Sequence, residues 1–264
     1  HPFSNLTSRP PWQQFLSVLC ALRCGKNFCC VRCRFRTVAR SVKRFGCGRC
    51  RRAFTLTTGT VFDGTKLSLR TLWALLWCWT QSIPIRQAEA LCHLSEEAVR
   101  RWYGTFRAHL PVEEPLLSGT VQKDEAYFRG VALLMAKEIG SRKLAYRLLT
   151  TSPGKEQACR FLFECVRPGS RLHTDGSRIY HGSHRRWPVR HATDIHAKWE
   201  FGKTSEIEGT FGNLRTFLRR TYHHATPASL PELVGEFTAR YSHPEWFTSP
   251  HAYLTVAVSP ASFD

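Results

Sequence analysis

The sequence predicts an α+β chain of several domains: a cysteine-rich segment, then a helical segment, then an α/β domain with a mixed sheet. Three observations carry this. Seven of the eleven cysteines lie between Cys20 and Cys50. Residues 56–110 are helix-like, with little Gly or Pro after Gly64. Residues 111–264 open with strand-like pieces and then alternate strand and helix, the order expected of a mixed sheet. The expected domains are therefore 1–55, with an N-terminal helix and short β pieces, 56–110, and 111–264.

In the first segment, Cys30-x2-Cys33 and Cys47-x2-Cys50 form two knuckles, thirteen residues apart. Each tight turn supplies two sulfurs, and two such turns make a tetrahedral thiolate site for structural zinc. Gly46 and Gly48 ease the second turn. Metal also solves a physical problem, because so short and charged a segment lacks a core of its own. Cys29 beside Cys30, and Cys20 and Cys24 upstream, leave the register open. A closed four-cysteine site holds no reactive water, so any chemistry lies elsewhere. Cys78, Cys92, Cys159 and Cys165 fall on expected helices and read as small core residues.

In the second segment, Leu67–Ser82 reads as a heavily apolar helix stopped by Pro84, and Ile85–Leu91 as another. Ser95 followed by Glu96 and Glu97 is an N-terminal cap for a third. That helix runs to His109 with Val99, Trp102, Tyr103 and Phe106 at helical spacing. Helix, short turn and helix, with Arg100, Arg101 and Arg107 on the last, has the outline of a helix-turn-helix; any small three-helix bundle shares it.

Pro111–Gly119 reads as a linker. Beyond it come a strand at Thr120–Phe128 and a hairpin over Ala132–Thr150, broken at Gly140–Ser141. Lys155–Cys165 is a helix, Arg171–Thr174 a short strand, and Val189–Ile195 a further strand. Glu206–Leu218 and Pro231–Tyr241 are helices.

Composition bounds the function. The chain has 264 residues, 42% hydrophobic, which suffices for a packed core and excludes disorder as the main state. Lys and Arg number 38 against 20 Asp and Glu, a formal charge of +18, so the expected partner is a polyanion, most simply nucleic acid. The longest apolar run, Leu69–Thr80, falls short of the roughly 20 residues a membrane span needs. Trp12–Leu22 carries Gln13 and Gln14 and does not read as a signal peptide. The chain opens on His1 and its one methionine is Met135, so a few N-terminal residues are expected to be missing from it.

In a chain this poor in acids, three carboxylates stand out. Asp124 lies on the first strand of the last domain, Asp175 follows the short strand Arg171–Thr174, and Glu208 opens a helix. Glu208, Gly212, Arg215 and Arg219 share one face of that helix. Three carboxylates from two strands and a helix are a standard means of holding two Mg²⁺ ions for in-line phosphoryl transfer, because hard divalent ions want charged oxygens. The residues also admit blander readings. Ser205-x-x-Glu208 is a capping box, Asp175-Gly176 an ordinary turn, and Asp124-Glu125 a solvated strand end.

Taken together, these residues resemble the DDE transposases of bacterial insertion sequences, the ISXO-like class related to Merlin elements. The knuckles resemble that family's N-terminal zinc ribbon. Arg51-Arg52-Ala53-Phe54 through Thr58-Gly59-Thr60-Val61-Phe62 is similar to the ribbon exit. Val121–Phe128 resembles its first catalytic strand, and His173-Thr174-Asp175-Gly176 with Tyr180 its second. Ile207-Glu208-Gly209 with Leu214-Arg215 and Thr221-Tyr222-His223-His224 resembles its third block, and Glu236-Phe237 with Arg240 its C-terminal helix. The sequence departs from the pattern at Ser205, where the family has Asn, at Val31, where it has Pro, over Arg129–Gly140, where it has a Gly-rich basic part, and in a shorter stretch between Asp124 and Asp175.

The resemblance implies an RNase H-like catalytic domain with Asp124, Asp175 and Glu208 as ligands of two Mg²⁺ (or Mn²⁺) and Arg215 as the basic partner. Asp124 would bridge both ions, Asp175 hold one and Glu208 the other. It implies cleavage and strand transfer at terminal inverted repeats, with double-stranded DNA gripped through Arg100, Arg101, Arg107 and Arg219, and His191, His223 and His224 as candidate contacts. The enzyme would work as a homo-oligomer in a synaptic complex, away from membranes, with the nucleoid in the cytoplasm or in the nucleus of a eukaryotic host. Two alternatives remain open: an inactive or domesticated zinc-ribbon DNA-binding protein, and a nuclease acting without strand transfer.

Overall fold

The computed structural model of the chain describes residues 18–19, 21, 29–36, 38–40, 44–55, 57–175, 178–180, 187–193, 204–223 and 225–257. Two compact units emerge: residues 1–111 with 245–264, and residues 112–244. Residues 18–19 and 21 are helical; the rest of the expected N-terminal helix, with Cys20 and Cys24, lies outside the described residues.

The first unit begins with a three-stranded antiparallel sheet of β1 (Val38–Arg40), β2 (Phe45–Cys47) and β3 (Ala53–Phe54). The two knuckles close alike. The Arg34 N–H donates to the Cys30 carbonyl and the Arg51 N–H to the Cys47 carbonyl, each at 3.0 Å. Arg34 and Arg51 both sit at φ 58°, a left-handed conformation that a non-glycine residue adopts only where its surroundings impose it.

Three helices follow. α1 (Leu69–Thr80) is capped by Ser68, whose hydroxyl accepts the Thr71 N–H at 3.1 Å. α2 (Ile85–Cys92) starts after Pro84 and ends at His93 with φ 54°. α3 (Glu96–Ala108) is capped by Ser95, with Glu96 and Glu97 favourably placed in its first turn. Its expected apolar stripe, Val99, Trp102, Tyr103 and Phe106, is buried.

The second unit is built on a five-stranded sheet. β4 (Thr120–Phe128), β5 (Val131–Glu138) and β6 (Leu144–Leu149) form an antiparallel meander. After α4 (Lys155–Cys165), β7 (Arg171–Thr174) and β8 (Arg190–Thr193) add in parallel to β4, giving the order β6-β5-β4-β7-β8. β4 is therefore central, hydrogen-bonded on both edges. The Gln122 side-chain carbonyl oxygen accepts the Ile207 N–H of α5 (Ser205–Tyr222), while the Lys123 ammonium donates to the Ala158 carbonyl of α4. Neighbouring strand residues point to opposite faces, so α4 and α5 cover the two sides of the sheet. The core holds Val121, Leu134, Phe161, Leu162 and Leu172.

α6 (Leu230–Ser242) packs on α5 through a buried polar anchor. Glu236, 1% exposed, accepts the Tyr222 hydroxyl at 2.6 Å and the Arg240 Nε–H at 2.8 Å. α7 (Pro250–Ala257) has no counterpart among the helices expected from the sequence. It belongs to the first unit, where Tyr253 lies 5.0 Å from Trp79 and its hydroxyl donates to the Phe106 carbonyl. The span expected for the last domain, 111–264, thus gives up its end to the helical unit, whose large aromatic side chains need covering.

Two further expectations meet the structure. Leu117, at the end of the expected linker, is fully buried and bridges Val166, because the sheet core extends past its first strand. Cys78, Cys92, Cys159 and Cys165 are buried helical residues, as expected. Among the described residues no helix is long and apolar enough to cross a membrane.

Candidate functional site

Among the described residues, two clusters of potential metal ligands form. The first is Cys30, Cys33, Cys47 and Cys50. The Cys30 and Cys50 sulfurs lie 3.7 Å apart, and the Cys33 and Cys47 sulfurs 3.4 Å. Thiolates bound to one tetrahedral zinc at about 2.3 Å stand roughly 3.8 Å from each other, so the donor set fits zinc. The Arg32 N–H donates to the Cys30 sulfur and the Cys50 N–H to the Cys47 sulfur. The Cys50 N–H lowers the Cys47 thiol to about 6, favouring the thiolate that binds metal. The cluster takes Cys30 rather than its neighbour Cys29. Its own core is small: Cys30, Cys47 and Phe54, with Phe45 stacked on Phe54 at 5.6 Å.

The second cluster lies where β7 ends beside the middle of its parallel neighbour β4. Lys123 of β4 is in register with Thr174 of β7, so the next residues, Asp124 and Asp175, emerge side by side. Oxygens of Asp124, Glu125 and Asp175 all lie within 4.8 Å of one another. Asp124 turns one oxygen onto the Glu125 N–H at 2.8 Å. Glu125 accepts the hydroxyl of Tyr180, which is itself fully buried. Burial first, and then the nearby charges of Asp175, Glu125 and Glu208, together push the Asp124 carboxyl up to about 7. Gathered anionic oxygens that repel one another are a donor set for a hard divalent cation.

Glu208 stands apart from this trio. The N-cap of α5 is Thr204, not Ser205, so the expected Ser205–Glu208 capping box does not form. Instead the Thr204 hydroxyl donates to a Glu208 oxygen at 3.0 Å. Glu208 is exposed and outside the three-residue cluster, though its charge is felt at Asp124. Among the described residues, two polar contacts join this end of α5 to the sheet: Gln122 caps the Ile207 N–H at 2.8 Å, and the buried Lys137 meets Glu206 at 2.5 Å. Further along α5 the Arg215 guanidinium lies over the Phe128 ring, 5.6 Å from its centre.

Glu125 and Lys123 escaped the sequence reading. Lys123 is 0% exposed, its ammonium 4.7 Å from the Tyr180 ring centre and 5.2 Å from that of Phe161. Desolvation lowers it to about 7. Strand alternation places it with Glu125 on the α4 side, but nothing local marks a lysine for full burial. Of the residues expected to meet a polyanion, Arg101 and Arg219 are exposed, Arg107 is half-buried, and Arg100 pairs with Glu96 at 2.6 Å. His191 is half-buried, with its Nε2 2.9 Å from the Thr174 hydroxyl; His223 is exposed, and His224 lies outside the described residues.

No family model matches the sequence. Over 119 residues the chain is 29% identical to an uncharacterized protein in transposable element ISH50 of Halobacterium salinarum. The match covers 43% of this chain and 40% of that protein, so the chain spans well under two thirds of its relative. Among solved structures, the simian T-cell lymphotropic virus intasome in complex with PP2A regulatory subunit B56 gamma is similar at 14% identity and a TM-score of 0.38. That likeness covers 61% of this chain and 69% of the other.

Proposed function

We propose that this chain is a DDE transposase of an insertion sequence, with an RNase H-like catalytic unit at 112–244 and a zinc ribbon ahead of it. The observation that carries the reading is the meeting of the Asp124 and Asp175 carboxylates where β7 ends beside the middle of the parallel strand β4. The sheet order supports it, an antiparallel meander whose first strand is central and gains parallel partners on its other edge. So do the relative's place in a transposable element, the fit of four thiols to zinc, and a charge suited to DNA.

The reaction is hydrolysis of a phosphodiester at each element end, followed by attack of the freed 3′-hydroxyl on a phosphodiester of target DNA. Asp124, Asp175 and Glu208, with Glu125 beside them, would hold two Mg²⁺, which when bound stabilise charge on the attacking and leaving oxygens. Gln122 and Lys137 fix the helix that presents Glu208. Arg215 neutralises a flanking phosphate. Exposed arginines, Arg101 and Arg219 among them, supply the sequence-independent grip on the duplex.

A second reading, a zinc-ribbon DNA-binding protein without catalysis, is favoured by one observation: Glu208 hydrogen-bonds at its own helix start. Cleavage of a duplex bearing a matched element end separates the two. The first reading expects Mg²⁺-dependent nicking that Asp124→Asn abolishes while duplex affinity stays within about twofold. Binding without nicking in the unaltered protein would establish the second.

A further inference from the structure

A cavity of about 340 Å³ lies in the sheet unit between the β4–β5 turn and the C-terminal part of α5. It is four residues beyond Asp124 on β4 and seven beyond Glu208 on α5, hence roughly 10–13 Å along either element. That is three or four nucleotide steps of a DNA strand at about 3.4 Å each.

Its lining is specialised. Phe128 forms one wall, with the Arg215 guanidinium over its ring, and Leu218 adds apolar surface. Arg219 follows Arg215 one helical turn later. At the rim Tyr127 is 56% exposed, unusual for so large an aromatic ring. Among the described residues no acidic side chain lines the space.

The turn that closes one side adds an independent observation. β4 and β5 pair from Phe128 with Val131, leaving a two-residue loop of Arg129 and Gly130. Both have positive φ, 50° and 85°, the signature of a type I′ turn. Its first position favours Asn, Asp or Gly, yet here it carries an arginine that lines the cavity. A strained residue kept where relaxed ones would serve points to use of its side chain.

We infer that this cavity seats one unpaired nucleotide of the DNA substrate: its base against Phe128, its phosphate between Arg129 and Arg219. Aromatic and guanidinium planes stack any base, and guanidiniums pair with phosphate. The volume is at the small end of ligand sites, room for a nucleotide and not for a base pair. The inference rests on the reading of the protein as a DNA-processing enzyme and adds the form of DNA it holds near the cut.

The test is fluorescence anisotropy with the full chain on three labelled duplexes: one blunt, one with a three-nucleotide single-stranded tail, and one whose tail lacks bases. The readout is the ratio of tailed to blunt affinity, in which general loss of charge cancels. Stacking of one base implies a ratio of about ten. It falls toward one for the baseless tail and for Phe128→Leu, Arg129→Asn and Arg219→Gln. Arg129→Asn suits the turn, so its melting temperature should be no lower than that of the unaltered protein. Equal affinity for blunt and tailed DNA overturns the inference, as does a ratio that survives these substitutions. Equal affinity for the two tails overturns the base seat and leaves a phosphate site alone. Asp124→Asn should keep the ratio: a tail preference without nicking in the unaltered protein sustains the cavity and sinks the enzymatic reading, whereas nicking without the preference does the reverse.

Discussion

At the residue scale the proposed chemistry turns on Asp124. Its carboxyl is held near 7 in the folded protein against an ordinary value of 3.8, chiefly by burial. The folded state therefore binds a proton that the unfolded chain releases between about pH 4 and 7, so the penalty is absent at low pH and accrues as pH rises through that window. Without added magnesium, Asp124→Asn should raise stability at pH 8, on the order of 2 kcal/mol after screening, and change it little at pH 4. Thermal melts at the two pH values check this; an equal effect at both would remove burial of the charge as the cause. Added Mg²⁺ should stabilise the unaltered protein and not the variant. The position of Asp124 was legible as an acid on a strand in an acid-poor chain. The part played by Glu125 was not, because alternation sends adjacent strand residues to opposite faces, yet its carboxylate, which accepts the Tyr180 hydroxyl, lies within 4.8 Å of those of Asp124 and Asp175.

At the element scale, placement of α5 rests on Gln122 and Lys137, two buried polar residues of neighbouring strands. Gln122→Ala should leave the Ile207 N–H without its partner and cost about 1–2 kcal/mol. It should also lower nicking by about tenfold or more, with duplex affinity unchanged, as single-turnover kinetics beside a binding titration would show. An activity equal to that of the unaltered protein would mean that the helix start is held by other contacts. The ribbon is a different kind of element, held by four thiols around a core of three buried residues. A zinc chelator should therefore expose residues 29–55 to protease before the sheet unit is cut. Unchanged resistance there would remove zinc from the account. The knuckles were readable because ligand spacing is a local property. α7 was not, since a short apolar stretch becomes a helix only when Trp79 and Phe106 offer Tyr253 a place to bury.

At the scale of the whole molecule, a formal charge of +18 governs how the protein meets a partner. If six phosphates are neutralised, affinity for duplex DNA should fall about a thousandfold between 50 and 200 mM salt. A titration across that range tests it, and a flat response would argue that the charge serves something other than DNA. The division of the chain also belongs to this scale. The boundary near 111 falls at a proline-rich stretch, but the return of 245–257 to the helical unit is long-range and has no local signal.

Sequence by itself determined the zinc-type knuckles, the helices with their Ser68 and Ser95 caps, the strands, and one aspartate on a strand with another just past the end of a second, because each follows from spacing, capping or alternation among near neighbours. Tertiary structure alone decided that Glu125 joins those aspartates, that Glu208 leans on Thr204, that Lys123 is wholly buried, and that Arg129 lines a cavity. These depend on which distant elements pack together, and burial in that packing sets the charge and reach of each group.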